Sequence, residues 1–208
     1  MQTKIPVRKI IVYTIYILLF ASFQVSFPNA ISFRNQVADL TFVFVILTGY
    51  YFGFLDGAIV GLATGIVRDC FASPIIMGVD GKIQLASGIG MLVLFLAGSY
   101  GSSFFRNRVH RKFYFALLAV LSGTLIYKVA GHIIVFLWLK LQDNAVYSLT
   151  VGRILADSIL PQLLVNAIAA LPMIVLLTFL GPVSRRKGPD ADDDVIKTYG
   201  EDSWLPIS

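Results

Sequence analysis

Apolar runs of about twenty residues dominate this sequence and restrict the folds open to it. The chain has 208 residues, of which 57% are hydrophobic and 14% are charged. Runs of this length match the roughly 30 Å hydrocarbon core of a bilayer when they form helices. A chain with so few charges buries a sizeable core only if lipid is its solvent. The sequence therefore predicts an all-α membrane protein.

The spacing of the apolar runs predicts a single domain, residues 1–187, with six transmembrane helices. The predicted spans are Ile10–Ser26, Leu40–Phe54, Gly57–Phe71, Ile83–Phe105, Phe113–Leu139 and Ser158–Gly181. The second and third spans are short and share a tight turn at Asp56-Gly57, so they are tilted or lie deep in the bundle. Residues 188–208 are polar and rich in aspartate, which predicts a disordered acidic tail rather than a docking peptide.

Basic residues predict the orientation of the chain. They concentrate in three clusters, at residues 4–9, 106–112 and 185–187, which lie on the same side of the six predicted spans. The positive-inside rule places these clusters and both termini in the cytoplasm. Because the basic groups are divided among three membrane-proximal clusters, we expect membrane lipid and no nucleic acid among the partners.

The third predicted span carries a stripe of small residues. Gly53, Gly57, Gly61 and Gly65 recur at every fourth position, and Asp69 takes the next place. Residues four apart lie on one face of a helix, and small residues there let another helix approach closely. We therefore predict a helix-packing face. A carboxylate inside the membrane is costly, so we treat Asp69 at the end of this stripe as a candidate functional residue.

Polar residues of several spans are predicted to lie at similar depths in the outer half of the membrane. At 1.5 Å per residue, Asp69 lies about 18 Å above the inner turn, and Lys128 and Asn166 lie about 22 Å from the inner ends of their spans. The predicted polar cluster comprises Gln24, Asp39, Asp69, Lys128, His132, Arg153, Asp157 and Asn166. Two interpretations remain open: ion pairs and hydrogen bonds that hold the bundle together, or an outward-opening cavity or docking site.

The motifs give no support for an enzyme. The chain lacks a Gly-x-Ser-x-Gly elbow, a phosphate-binding loop and a His-Glu-x-x-His helix. Asp69 and Asp157 could be imagined as an aspartyl dyad, but no accompanying motif supports one. One cysteine and two histidines provide no metal-ligand set. We therefore expect no catalytic residues, no cofactor and no metal.

Several short motifs, in order, resemble MreD, the rod-shape-determining membrane protein of bacteria. The shared features are Gln24, Asp39-Leu40, the series Gly57, Gly61, Gly65 and Asp69 that leads through Pro74 to Gly78, the run from Leu160 to Asn166, and Leu171-Pro172. The similarity covers about residues 10–181. Ala38 departs from the pattern, because the family often has proline there.

The resemblance implies a non-enzymatic inner-membrane subunit of the cell-elongation machinery that binds MreC. Through that assembly it would help couple MreB filaments to peptidoglycan synthesis, with RodZ, RodA and the class B penicillin-binding transpeptidase of RodA as indirect partners. MreD is also similar in architecture to the substrate-binding (S) components of energy-coupling-factor transporters. This similarity implies a compact bundle and gives an alternative function, a vitamin-type binding component. The first span weakly disfavours this alternative. S components often carry an Ala-x-x-x-Ala coupling motif there, whereas here Ala21 is followed four residues later by Val25.

Overall fold

A computed structural model describes residues 7–27, 29–72, 75–77, 83–85, 88–106, 113–141 and 151–182 of the chain. Several of the features on which the sequence predictions rest lie outside these residues. They are the acidic tail, the basic residues at 107–112 and 185–187, Lys4, Pro74 and Gly78.

Helices account for most of the described chain. The first five are α1 (Val7–Ser26), α2 (Leu40–Phe52), α3 (Phe54–Ala72), α4 (Ile89–Arg106) and α5 (Phe113–Leu141). The last helical segment begins as α6 (Val151–Ile154), passes through a π-helical turn (Leu155–Ile159) and continues as α7 (Leu160–Leu180). Two antiparallel hairpins lie between helices: β1 (Ser32–Phe33) with β2 (Gln36–Val37), and β3 (Ile75–Met77) with β4 (Ile83–Leu85).

Two predicted span boundaries were wrong. The fourth span was expected to start at Ile83, but residues 83–85 pair with β3 as a strand and α4 begins at Ile89. The sixth was expected to start at Ser158, whereas helical structure already begins at Val151. Apolar composition alone does not distinguish a short strand from the first turn of a helix, which explains the first error.

Within the described residues, three helices are long and apolar enough to cross a membrane, Val7–Ser26, Phe113–Ile134 and Gly152–Leu180. Two shorter helices, Leu40–Phe52 and Ile89–Phe104, are also apolar. The protein is therefore a mostly helical membrane protein. The glycine-rich α3 meets neither description, so the count of six spans stays a prediction.

The short helix α2 forms the centre of the bundle. Every residue from Leu40 to Tyr51 is buried, and α2 packs against α1, α3, α4, α5 and α7. Its 13 residues span only about 20 Å, less than the roughly 30 Å hydrocarbon core. If α2 lies within the hydrocarbon core, at least one of its ends is inside it, and the unpaired backbone groups at that end must be satisfied by protein.

The glycine stripe of α3 packs directly on the backbone of α4. A Cβ atom on Gly57 would lie 2.6 Å from the carbonyl oxygen of Gly98, and one on Gly61 or Gly65 would overlap the backbone of Leu94 or Met91. Side chains at these three positions would push the two helices apart, so glycine sets their separation.

Gly53 differs from the prediction that placed it in this stripe. It lies between α2 and α3, with φ 91°, and its N–H donates to Gly49 O at 3.0 Å. A positive φ favours glycine because it has no Cβ. Gly53 thus ends α2 and lets α3 start immediately. Spacing alone did not reveal this different role.

Candidate functional site

The start of α2 is capped by Asp39. The carboxylate of Asp39 accepts hydrogen bonds from the N–H of Phe42 at 3.0 Å and from the hydroxyl of Thr41 at 2.8 Å. An N-cap carboxylate satisfies one of the helix's unpaired donors and also interacts favourably with the positive end of the helix dipole. The chain enters α2 from β2, so the backbone at 37–40 has further donors and acceptors to satisfy.

Gln24, near the end of α1, satisfies two of these backbone groups. Its Oε1 accepts from the N–H of Leu40 at 2.8 Å, and its Nε2 donates to the carbonyl of Ala38 at 3.0 Å. A single amide side chain thus provides both a donor and an acceptor to the segment that leads into α2. The contact fixes the end of α1 against the start of α2.

Two amides of α7 complete the arrangement. Asn166 Oδ1 accepts from the N–H of Asp39 at 2.9 Å, and Gln162 Nε2 donates to the carbonyl of Val37 at 2.8 Å and to Asn166 Oδ1 at 3.1 Å. Asn166 Nδ2 donates to the hydroxyl of Thr124 in α5 at 3.0 Å. We call Gln24, Asp39, Gln162 and Asn166 the α2 cap cluster.

Two cations lie beside the α2 cap cluster. Arg68 of α3 forms an ion pair with Asp39, with 2.8 Å between Nη1 and Oδ2. Lys128 of α5 donates to Oε1 of Gln36 in β2 at 2.8 Å. Both basic side chains are only partly exposed. The cluster therefore joins α1, α2 and α7. It contacts α3 through Arg68 and α5 through Thr124, and Lys128 links α5 to the β1–β2 hairpin.

Asp69 has a role different from the one expected. Its carboxylate accepts from the N–H groups of Gly88 at 2.8 Å, Gly90 at 3.1 Å and Met91 at 3.2 Å. Gly88 precedes α4 and has no side chain to cap it. Asp69 therefore caps α4 from the neighbouring helix α3. The sequence predicted that Asp69 belongs to one polar cluster with Lys128 and Asn166 and is hydrogen-bonded. It is hydrogen-bonded, and these three bonds go to the backbone at the start of α4.

The remaining predicted residues lie outside the α2 cap cluster. His132 Nε2 is 3.1 Å from Ser158 Oγ in the π-helical turn. Arg153 and Asp157, which were also predicted to belong to the polar cluster, are both exposed. The eight predicted residues therefore do not form one cluster. The depth of a residue along its helix does not give its direction around the bundle, so residues at similar depth can lie far apart.

Sequence reasoning missed two charged pairs. Arg68 was overlooked, although a basic residue within a predicted span is a signal of the same kind as Asp69. At the opposite end of the bundle, Lys9 lies 2.6 Å from the carboxylate of Asp56, which also accepts from the hydroxyl of Tyr13 at 2.9 Å. Lys9 had served only as a topology signal, and Asp56 only as a turn residue.

A cavity of about 340 Å³ opens beside the α2 cap cluster. Its wall combines charged and amide side chains with aliphatic and aromatic side chains. Its lining comprises Ala21, Gln24, Val25, Val37, Asp39, Thr41, Phe42, Val67, Arg68, Phe71, Tyr127, Lys128, Gln162 and Asn166. Among the described residues, no group of three or more His, Cys, Asp or Glu side chains could hold a metal ion.

The fold and the site together define a multi-span helical membrane protein whose central helix starts at a polar cluster beside a cavity. The chain belongs to the family described as 5TMR of 5TMR-LYT, a five-transmembrane family whose model matches residues 1–180. This family is not the one that the sequence resemblance indicated, and it indicates neither MreC binding nor vitamin transport. No curated protein and no solved structure shows a significant match to the chain.

Proposed function

We propose that the protein is a non-enzymatic subunit of the bacterial cell-elongation machinery in the inner membrane, with MreC as its direct partner. One observation carries the proposal: Gln24, Asp39 and Asn166, which belong to the resemblance to MreD, meet in one hydrogen-bonded cluster. These residues come from α1, from the start of α2 and from α7. Gln24 bonds to the backbone on either side of Asp39, and Asn166 bonds to the N–H of Asp39 itself. Motif residues that are far apart in sequence thus hold the same start of α2, which supports a shared structural purpose.

The chemistry of the α2 cap cluster favours a scaffold. Its amide side chains hydrogen-bond to backbone groups, so their effect is to position α2. The glycine stripe similarly fixes α3 against α4. A bundle held by such contacts presents a pre-organised surface, and pre-organisation reduces the entropic cost of binding a partner.

Apolar side chains provide a surface that MreC could contact within the membrane. Ile11, Ile15 and Leu18 of α1 are exposed on the outside of the bundle. Helix association in lipid depends on matched shape and close packing rather than on hydrophobicity. In this proposal MreB, RodZ, RodA and the transpeptidase are reached through MreC. Six spans with both termini in the cytoplasm remain part of the proposal.

Depletion of the protein in the bacterium that encodes it tests this function. We expect depleted cells to lose their rod shape, and we expect wild-type protein to restore it. Leu164→Ala, which alters an exposed side chain, should also restore rods, whereas Asn166→Leu should restore fewer because it disrupts the α2 cap cluster. Immunoblots of the membrane fraction provide the amount of each variant. Cells that remain rod-shaped after complete depletion would refute the proposed role.

The cavity favours a second candidate, a vitamin-type substrate-binding component of an energy-coupling-factor transporter. A volume of about 340 Å³ lies within the range of small-molecule sites. This candidate requires association with transporter ATPases, so the discriminating experiment is affinity purification of the chain from its own membranes. Co-purification of ATPase subunits with a tightly bound vitamin would favour the transporter, and co-purification of MreC would favour the elongation subunit.

A further inference from the structure

We infer that the cavity beside Asp39 is a binding site for a small amphiphilic anion, with a carboxylate or phosphate head and an apolar body. This inference does not depend on MreC binding, because it concerns the isolated chain. It rests on the size of the cavity, the charges in its wall and the position of its opening.

The charges in the cavity wall favour an anion. Among the described lining residues, three carry a charge at neutral pH, Asp39, Arg68 and Lys128, which leaves one excess positive charge. Asp39 and Arg68 compensate each other as an ion pair, and Asp39 also accepts from Phe42 and Thr41, so the excess positive charge is that of Lys128. Arg68 and Lys128 carry five and three N–H donors. A ligand oxyanion between them would form charge-assisted hydrogen bonds, which are roughly twice as strong as neutral ones.

The position of the opening favours a ligand with an apolar body. Val25 near the end of α1 and Phe71 near the end of α3 both line the cavity and are 51% and 70% exposed. The opening therefore lies between these two helix ends and has apolar edges. Inside, Phe42 and Tyr127 form an aromatic wall with ring centroids 5.1 Å apart. A flat or chain-like apolar body fits such a wall, while the head reaches the two cations.

The test uses the full chain in phosphatidylcholine nanodiscs and measures its melting temperature as ligand is added. The soluble probes are phenylacetate and phenyl phosphate, with phenethylammonium as the cation control. The lipid probes are short-chain phosphatidylglycerol and short-chain phosphatidylcholine. We expect saturable stabilisation by at least one anionic probe and none by its cationic or zwitterionic counterpart. Stabilisation by phosphatidylglycerol alone identifies a lipid head group as the source, and stabilisation by a soluble anion identifies a free organic acid.

Matched variants locate the site. Lys128→Gln should weaken the affinity for the anion about tenfold or more, because a charge-assisted hydrogen bond is lost. Lys128→Arg should retain most of the affinity. Arg153→Gln, which removes an exposed charge outside the cavity lining, should leave it unchanged. The inference is overturned if none of the anions stabilises wild-type protein saturably, if phenethylammonium stabilises it more, or if Lys128→Gln and Arg153→Gln weaken binding equally. Each of these results can be obtained whether or not the chain binds MreC.

Discussion

Replacement of Asn166 by leucine should destabilise the bundle by removing three hydrogen bonds at one buried point. Asn166 is 1% exposed. It accepts from the N–H of Asp39 and from Gln162, and it donates to Thr124. Leucine has the same number of side-chain heavy atoms, branched at the same carbon, but it cannot form hydrogen bonds. The substitution thus removes the polar contacts without leaving a cavity.

The size of the effect follows from what each former partner can do instead. The N–H of Asp39 loses its acceptor, and a buried unpaired donor costs about 1–3 kcal/mol. Gln162 keeps its bond to the carbonyl of Val37. Thr124 loses only a bond that its hydroxyl oxygen accepted, and its O–H can still donate to a carbonyl of its own helix, so each of these losses is smaller. We expect a total loss of about 2–4 kcal/mol in the free energy of unfolding.

Steric trapping in lipid bicelles measures this free energy of unfolding, with thermal unfolding in detergent as a second assay. Leu164→Ala is the matched control, because Leu164 lies on the same helix and is 48% exposed. A double-mutant cycle with Thr124→Val should give a coupling energy of about 0.5–1.5 kcal/mol. The reasoning is refuted if Asn166→Leu changes stability by no more than the control does.

Three further predictions follow from the packing of α3 and from the sequence. Gly61→Leu should lower the free energy of unfolding by about 1–3 kcal/mol through overpacking against α4. The control Gly131→Leu should have little effect, because nothing lies within 4 Å of its added Cβ. Equal melting temperatures for the two variants would contradict the close contact of α3 with α4. Asp69→Ala should lower the free energy of unfolding by about 0.5–2 kcal/mol, because it removes the cap of α4. Asp69→Asn should lower it less, because asparagine keeps an oxygen acceptor. A larger loss for Asp69→Asn than for Asp69→Ala would contradict the role of Asp69 as a hydrogen-bond acceptor for α4. In a cysteine-free background, an impermeant maleimide should label a cysteine at Asn144 but not one at Arg108 in intact cells, and the reverse labelling would invert the predicted orientation.

The positions of most helices were predictable because each corresponds to an apolar run bounded by polar or turn residues. The face of the glycine stripe was also accessible to sequence reasoning. Gly57, Gly61 and Gly65 recur with the helical period, and Asp69 continues the same face. The sequence did not reveal that this face meets α4, so the carboxylate of Asp69 was expected near other polar residues when it actually caps the next helix.

Arg68 illustrates why depth alone was not sufficient to predict the site. Adjacent residues differ by about 100° around a helix axis. Arg68 therefore points to Asp39 while Asp69 points to α4, although they have almost the same depth. Angular position depends on which helices are neighbours, and that information comes from the packing of the whole bundle. The cavity likewise depends on the packing of the whole bundle, since five helices and strand β2 contribute to its wall.

Purification of the full chain together with its cognate MreC, followed by native mass spectrometry, tests the proposed function most directly. Both proteins should be expressed from the same operon, extracted in mild detergent and isolated through a tag on MreC alone. The proposal predicts a stable complex that contains both chains, and it predicts that Leu164→Ala retains the complex more fully than Asn166→Leu does. A chain that never accompanies MreC, but is recovered with transporter ATPases and a bound vitamin, would contradict the proposal.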